Sequence, residues 1–282
     1  MKIDRVIDME SEFSQLQQHI KDKSPATIKT YIQNYKKVRD KIGQELKEVP
    51  LEDLILHIGQ MSESYASQKA FANVWSICNF QMKGLETHPS YIKYCNHLVE
   101  QAELQMRAKH KEIKSDIIPE SKLIEHELKL FSNKEFDKYV CSFIVRNCYC
   151  RNKDLDITLV KNYTDTNDTD NFIIVQDDKV FILRQNYKTF KTYGKIVTMF
   201  TEPDFVFSCN QLPINEKLFP GADNTSKLQN RLKHALYTNE VGYLNTKIEQ
   251  ISKSGDLAEL RVVAQRRGSA LENLVTDYNL DF

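Results

Sequence analysis

The sequence predicts a mainly α-helical protein with a small antiparallel β-sheet, organised in two domains. Three observations predict this class: apolar residues recur at helical spacing through the first part of the chain, a polar and charged stretch interrupts that pattern near residues 107–121, and short β-branched runs follow it. We therefore expect a helical domain over 1–106, a linker or fraying helix over 107–121, and a second domain over 122–282.

The first domain is expected to be a bundle of amphipathic helices. Ser24 is predicted to cap a helix whose first residue is Pro25, and Gly43 is predicted to end that helix. Further helices are predicted over 51–61, 67–82 and 91–106. The polar side of the first helix is basic, with Lys29, Lys36 and Lys37.

The second domain is expected to hold its sheet among helices. Helices are predicted over 123–130 and 134–146, strands over 172–176, 180–183 and 195–199, and helices again from residue 227. Near the end of the chain, Leu257, Leu260, Val263 and Ala264 recur at helical spacing. Gly268 breaks that helix, and a second apolar stripe after it carries a tyrosine, Tyr278.

Composition limits the functional class. The chain has 282 residues, 41% hydrophobic and 28% charged, as in soluble globular proteins, and no apolar run reaches the roughly 20 residues of a membrane span. The first residues have no apolar signal core, so we expect a cytoplasmic or nuclear protein without a membrane partner. The 6 cysteines form no regular framework, which indicates reduced thiols, and Cys148-Tyr149-Cys150 lacks zinc-site spacing.

The charge balance argues mildly against a protein that binds nucleic acid through its overall charge. Lysine and arginine total 39 and aspartate and glutamate also total 39, so the formal net charge is zero. Phosphate contacts are local, however, and a neutral chain can still concentrate its cations on a single face.

Several motifs occur in an order that resembles the tyrosine recombinase family. They are Ser-Pro-Ala-Thr-Ile-Lys-Thr-Tyr over 24–31, Arg-Asn-Lys-Asp-Leu over 151–155, Tyr-Lys-Thr-Phe-Lys-Thr-Tyr-Gly over 187–194, and the terminal tyrosine. The hairpin motif looks most like integrase-like members encoded by large DNA viruses and virophages, which would make this chain virus-encoded. The resemblance covers nearly the whole chain and implies a helical core-binding (SAM-like) domain followed by a catalytic domain.

The resemblance implies a site-specific recombinase or integrase. Such enzymes cut and rejoin double-stranded DNA through a 3′-phosphotyrosine intermediate, need no metal or other cofactor, and usually act as tetramers on paired sites. By the motif, Tyr278 matches the nucleophile, Arg151 the first catalytic arginine, and Lys188 the general acid, with Lys191 as its fallback. Basic residues expected to contact the DNA are Lys29, Lys36, Lys37, Lys227, Arg266 and Arg267.

Two positions depart from the family pattern. The family carries His-x-Leu-Arg-His before the nucleophile, and the nearest match is Asn-Arg-Leu-Lys-His over 230–234. Lys233, or less favourably Arg231 or Lys247, would then substitute for the second arginine, although an ammonium cannot grip two oxygens as a guanidinium does. Ser269 stands where the family has a histidine or tryptophan.

These departures leave three functions open. The first is an active recombinase. The second is a recombinase-derived DNA-binding or architectural protein that has lost cleavage, which the missing arginine and histidine favour. The third is a protein-interaction scaffold, for which the zero net charge is the positive argument.

Overall fold

Helix α1 of the bundle spans Pro25–Ile42, after a helical segment over 14–19, and begins where the sequence predicts it. The Ser24 hydroxyl accepts a hydrogen bond from the Thr27 backbone N–H at 3.2 Å, and Pro25 occupies the first turn. Gly43, at a φ of 77°, closes the helix by donating to the Arg39 carbonyl. Ser24 and Gly43 thus fix both ends of the helix that carries Lys29, Lys36 and Lys37.

A computed structural model describes residues 14–61, 64–78, 89–113, 117–222 and 224–278, with only the backbone described at 47, 106, 107, 109–113 and 276–278. Two compact units divide the chain, Met1–Lys109 and His110–Phe282. The first is helical, with α1, α2 (Leu51–Met61), α3 (Tyr65–Ser76) and most of α4 (Pro89–Ile113), whose residues 110–113 belong to the second unit. Trp75 in its core donates to the Leu46 carbonyl at 3.0 Å.

Helix α4 is longer than the sequence predicts. It continues through 107–113, so the first part of the stretch expected to be a linker or a fraying helix is helical. The end of the helix predicted over 67–82 lies partly outside the described residues, since 79–88 are not among them.

The second unit places a sheet between two groups of helices. Helices α5 and α6 precede the sheet, α7 lies within its last connection, and α8 to α12 follow it. In chain order the elements are α5 (Glu120–Ser132), α6 (Phe136–Cys148), β1 (Ile157–Val160), β2 (Asn171–Val175), β3 (Val180–Arg184), α7 (Phe190–Tyr193), β4 (Ile196–Phe200), α8 (Pro203–Asn210), α9 (Thr225–Ala235), α10 (Glu240–Ser254), α11 (Leu257–Arg267) and α12 (Leu271–Tyr278).

The mainly helical class is confirmed, but the sheet is mixed and not purely antiparallel. It has four strands in the order β1-β2-β3-β4, and the three predicted strands, β2 to β4, pair antiparallel. Strand β1, which the sequence pattern does not predict, pairs parallel to β2 with Ile157 opposite Asn171. Such a short strand gives little periodic signal, and its other edge is held by the non-local segment 215–218, where Leu218 N donates to the Ile157 carbonyl at 2.9 Å.

The C-terminal helices have a small core of their own. Tyr149, at the end of α6, is buried there with Leu244 of α10, Leu260 of α11 and Leu274 of α12. Leu257, expected in the apolar stripe, is instead 43% exposed at the first position of α11. This core fixes α12 against the end of α6. In the described part of the chain, every helix is too short or too polar to cross a membrane.

Candidate active site

The end of α6 determines where Arg151 lies. Tyr149 adopts a left-handed conformation, with a φ of 55°, and its N–H donates to the Val145 carbonyl, which ends the helix. Arg151 then caps the 3-10 turn Asn152–Leu155, and its own N–H donates to Asp154 Oδ2 at 3.2 Å. Hydrogen bonds at Tyr149 and at Asp154 therefore fix the backbone around Arg151, independently of the contacts that the Arg151 side chain makes.

Asp154 connects this turn to the sheet through a buried ion pair. Its Oδ2 also accepts from Arg184 Nη1 at 3.3 Å, and both side chains are only 1% exposed. Burial raises the pKa of the Asp154 carboxyl, while the positive charge of Arg184 opposes that rise. Among the described residues, Asp154 Oδ1 and Arg184 Nε and Nη2 find no hydrogen-bond partner.

The connection between β3 and β4 carries Lys188 to the turn between α11 and α12. Gly268 in that turn has a φ of 64°, and a Cβ there would lie 2.5 Å from Cε2 of Tyr187. The Thr189 hydroxyl donates to the Gly268 carbonyl, and the Tyr187 hydroxyl donates to the Gly194 carbonyl at 2.7 Å. Lys188 lies between the two residues that contact Gly268, so its backbone is fixed against the turn.

Arg151 reaches the same turn from the other direction. Its Nη1 donates to the Arg267 carbonyl at 3.1 Å, and its Nη2 donates to Ser269 Oγ at 3.0 Å. One planar guanidinium thus contacts the residues on either side of Gly268. The 151–155 turn, the hairpin connection and the C-terminal helices therefore meet at one place in the second unit.

A cavity of about 240 Å³ lies at this meeting point. Its walls carry three kinds of polar group: cationic side chains, hydroxyls and one amide, together with Ala270 and Leu274. Among the described residues that line it there is no carboxylate, so the cavity suits an anion. The polar lining residues are Arg151, Lys188, Arg267, Thr189, Tyr193, Ser269 and Asn273.

The structure brings some of the predicted site residues together at this cavity and leaves others outside it. Arg151, Lys188 and Ser269 share the cavity with Arg267, which the sequence analysis expected to contact DNA. Tyr278 is the last residue of α12, one helical turn after Leu274, and its side chain lies outside the described part of the structure. Lys191 is exposed on α7 and does not line the cavity.

The candidates for the second arginine lie elsewhere. Lys233 lines a separate cavity of about 340 Å³ together with Asn152. Arg231 is exposed on α9, and Lys247 forms an ion pair with Glu259 that joins α10 to α11. None of these residues lines the cavity that holds Arg151.

Of the remaining basic residues expected to contact DNA, four lysines are exposed and one arginine is half-buried. Lys29, Lys36 and Lys37 are exposed on α1 of the first unit, and Lys227 is exposed on α9 of the second. Arg266 is half-buried, and its Nη1 donates to the Asn147 carbonyl at 3.0 Å near the end of α6.

Sequence reasoning missed Arg184, which holds Asp154 in place. The available signal was a charged residue at the end of the apolar run of 180–184, where a buried strand would otherwise continue. Asn273 and Tyr193 were missed as lining residues, because nothing local predicts which turn of a helix faces a cavity.

Comparisons with known proteins find little. No family model and no curated protein matches the chain. Among solved structures, the chain is similar to the one titled "Crystal structure of XerA recombinase", with 11% sequence identity, a TM-score of 0.37, and coverage of 96% of this chain and 94% of that one. A TM-score this low establishes no relationship between the two proteins.

Proposed function

We propose that the chain is a DNA strand transferase that cuts and rejoins a DNA backbone through a 3′-phosphotyrosine intermediate, as a site-specific recombinase or integrase does. One observation carries the proposal: Arg151 and Lys188 line a single cavity together with the first turns of the helix that ends at Tyr278. A nucleophile, a phosphate-binding guanidinium and a proton donor are the groups that this reaction needs.

The lining of the cavity fits a phosphodiester. The hydrogen bonds of Arg151 to the Arg267 carbonyl and to Ser269 Oγ fix the plane of its guanidinium, so its orientation does not depend on the ligand. A fixed planar fork can donate to two phosphate oxygens at once. Charge that develops on the non-bridging oxygens in the transition state would be stabilised there without reorganisation of the protein.

In the proposed step, Tyr278 loses its phenolic proton to water, and the resulting phenolate attacks the phosphorus in line with the 5′-oxygen. The bond from phosphorus to the tyrosine oxygen forms, the bond to the 5′-oxygen breaks, and the Lys188 ammonium gives its proton to that leaving oxygen. The Ser269 hydroxyl, which accepts from Arg151, can donate its own proton to a phosphate oxygen. Reversal by a free 5′-hydroxyl reseals the strand, so no high-energy cofactor is consumed.

A second candidate is a DNA-binding protein derived from such an enzyme that no longer cleaves. It is favoured by the positions of Lys233, Arg231 and Lys247, because none of these expected substitutes for the second arginine lines the cavity. It predicts salt-dependent DNA binding without a covalent adduct.

The test is a search for a covalent protein–DNA adduct. A pool of random-sequence duplexes is first selected for binding, and the recovered sequences are rebuilt with nicks that let the cleaved end diffuse away. We expect wild type to form an adduct and Tyr278→Phe to form none, while Tyr237→Phe, an exposed tyrosine outside the cavity, forms it normally. Tight binding by wild type without any adduct supports the second candidate, and no binding even at low salt contradicts both.

Mass spectrometry identifies the nucleophile directly. Trypsin cleavage after Arg267 releases residues 268–282, in which Tyr278 is the only tyrosine, whereas Tyr193 appears in the peptide 192–195. Nucleotide mass on the first peptide assigns the attack to Tyr278. Nucleotide mass on the second would assign it to Tyr193, which also lines the cavity, and would overturn the role of Tyr278.

A further inference from the structure

We propose that Arg267 supplies the second guanidinium that binds the phosphate. Arg267 ends α11, whereas the sequence pattern expects the second arginine on an earlier helix. This inference rests on the proposed function, because it gives Arg267 a role toward the same phosphate as Arg151. It replaces Lys233, Arg231 and Lys247 as the residue that compensates for the missing arginine.

Arg267 and Arg151 hold each other's segments by reciprocal hydrogen bonds. Arg151 Nη1 donates to the Arg267 carbonyl at 3.1 Å, and Arg267 Nη1 donates to the Tyr149 carbonyl at 2.9 Å, two residues before Arg151. Both side chains line the 240 Å³ cavity. The two guanidinium groups therefore approach the same space from two segments that are fixed to each other.

The charge environment points to an anion between these groups. Two other arginines of this unit pair with a carboxylate, Arg146 with Glu127 at 2.8 Å and Arg184 with Asp154 at 3.3 Å, whereas the half-buried Arg266 donates to the Asn147 carbonyl. The Arg151 side chain instead donates to a carbonyl and a hydroxyl, which carry no formal charge. Lys188 adds a second cation beside Arg151, and the described residues that line the cavity include no carboxylate, so an anion bound there would be stabilised.

Gly268 is the reason that Arg267 can occupy this position. The left-handed turn at Gly268 ends α11 directly after Arg267 and brings the hairpin connection with Lys188 against it. Arg266, one residue earlier, donates to the Asn147 carbonyl in a similar way but does not line the cavity. Arg266 and Arg267 therefore both contact the end of α6, but of the two only Arg267 lines the cavity.

The first experiment measures the rate of adduct formation at saturating DNA. Removing one donor to a developing oxyanion typically slows an enzyme by about 100-fold or more, so we expect that loss for Arg267→Ala. Arg267→Lys keeps the charge without the fork and should still lose about tenfold. Arg261→Ala, an exposed arginine of the same helix, serves as the control and should stay close to wild type.

A DNA substrate with a neutral linkage distinguishes a role of the Arg267 charge from a purely structural role of its side chain. A methylphosphonate at the scissile position carries one negative charge fewer, so a cation that neutralises that charge becomes dispensable. We expect this substrate to restore Arg267→Ala to within about tenfold of wild type on the same substrate. Arg266→Ala loses a comparable carbonyl contact and should show no such gain. Absence of rescue for Arg267→Ala, or its cleavage of ordinary DNA within about threefold of wild type, would overturn the inference.

A binding measurement tests Arg267 even if wild type cleaves no DNA. Titration with inorganic phosphate, followed through the ¹⁵Nε resonances of the arginines, should shift the signals of Arg151 and Arg267 together and leave Arg261 unchanged. We expect Arg267→Ala to bind phosphate about tenfold more weakly, the loss of one charge-assisted contact. An unchanged phosphate affinity would refute the role of Arg267, whereas a missing adduct with normal phosphate binding would refute only the strand transfer.

Discussion

The ring of Tyr187 occupies the space that any side chain at Gly268 would need. A Cβ on that glycine would lie 2.5 Å from Tyr187 Cε2, closer than real Cβ contacts come, and the φ of 64° is itself unfavourable for other residues. The close approach joins the loop that carries Lys188 to the turn that carries Arg267 and Ser269.

Gly268→Ala should therefore destabilise the protein by about 2 to 5 kcal/mol, the sum of a left-handed conformation and of overpacking against Tyr187. Denaturant unfolding measures the change. Gly255→Ala is the matched control, because Gly255 ends α10 at a φ of 67° with nothing within 4 Å of its Cβ position. It should cost only about 1 to 2 kcal/mol. Equal losses for the two variants would show that the Tyr187 contact costs nothing.

Asp154→Ala should destabilise the protein by about 3 to 5 kcal/mol, because it leaves Arg184 buried without its counter-charge. Urea unfolding at neutral pH measures the loss. Asp156→Ala removes a carboxylate two positions away, where Asp156 and Lys217 form an ion pair with both side chains about half exposed. That exposed pair should contribute at most about 1 kcal/mol. A small effect of Asp154→Ala would mean that Arg184 finds another partner.

Ser269→Ala should slow adduct formation about tenfold, since a hydrogen bond to a charged group is worth about 1.5 kcal/mol and Arg151 Nη2 would lose its acceptor. DNA affinity should change little, because the charge of the cavity is unchanged. Ser254→Ala, at the end of α10, loses a hydrogen bond to the Ile251 carbonyl and one from the Asp256 N–H, both outside the cavity, and should cleave at the wild-type rate. The comparison is made at saturating DNA, and an unaltered rate for Ser269→Ala would remove this serine from the site.

Replacing both Lys36 and Lys37 by glutamine should weaken DNA binding and make it less sensitive to salt. Both lysines are exposed on α1, and each phosphate contact contributes about 0.9 to the slope of log affinity against log salt concentration, so the slope should fall by about 1.8. Lys253→Gln, an exposed lysine of α10, is the control. An unaltered slope in the double variant would exclude α1 from the DNA interface.

Cys95 should be the thiol that a reagent labels in the native protein. The other cysteines are buried, whereas Cys95 is half-buried on α4. Burial raises the pKa of the Cys95 thiol, so its thiolate is scarce at neutral pH and labelling should accelerate as the solution is made more alkaline. Cys95→Ser should abolish the early labelling, and rapid reaction of a further thiol would show that the buried cysteines open to solvent.

Local patterns in the sequence predict most of the second unit's sheet and helix ends in both units. Strands β2, β3 and β4 have enough β-branched residues to be recognised, and Gly43 and Gly268 end helices where their sequence positions indicate. Strand β1 has no such signal, because its pairing depends on β2 and on residues 215–218, which are distant in the sequence.

The site is predictable only where a motif carries it. Arg151 and Lys188 follow from a resemblance in short motifs, whereas Arg184 and Arg267 take their positions from contacts across the fold. Asp154 and Arg184 are separated by 30 residues, and Arg151 contacts the Arg267 carbonyl across 116 residues. Spacing within one segment cannot reveal such pairs, so the local pattern on α9 favours Lys233 although Lys233 lies outside the cavity.

Two hydrogen bonds to Asp154 Oδ2 determine at which stage the conformational entropy of the Arg151 turn is lost. Since that oxygen is bound to both the Arg151 N–H and the buried Arg184, the turn is ordered as the domain folds. The conformational entropy of the turn is then lost during folding and not at the encounter with a ligand. An anion that enters the cavity meets a guanidinium already preorganised by the interior of the protein.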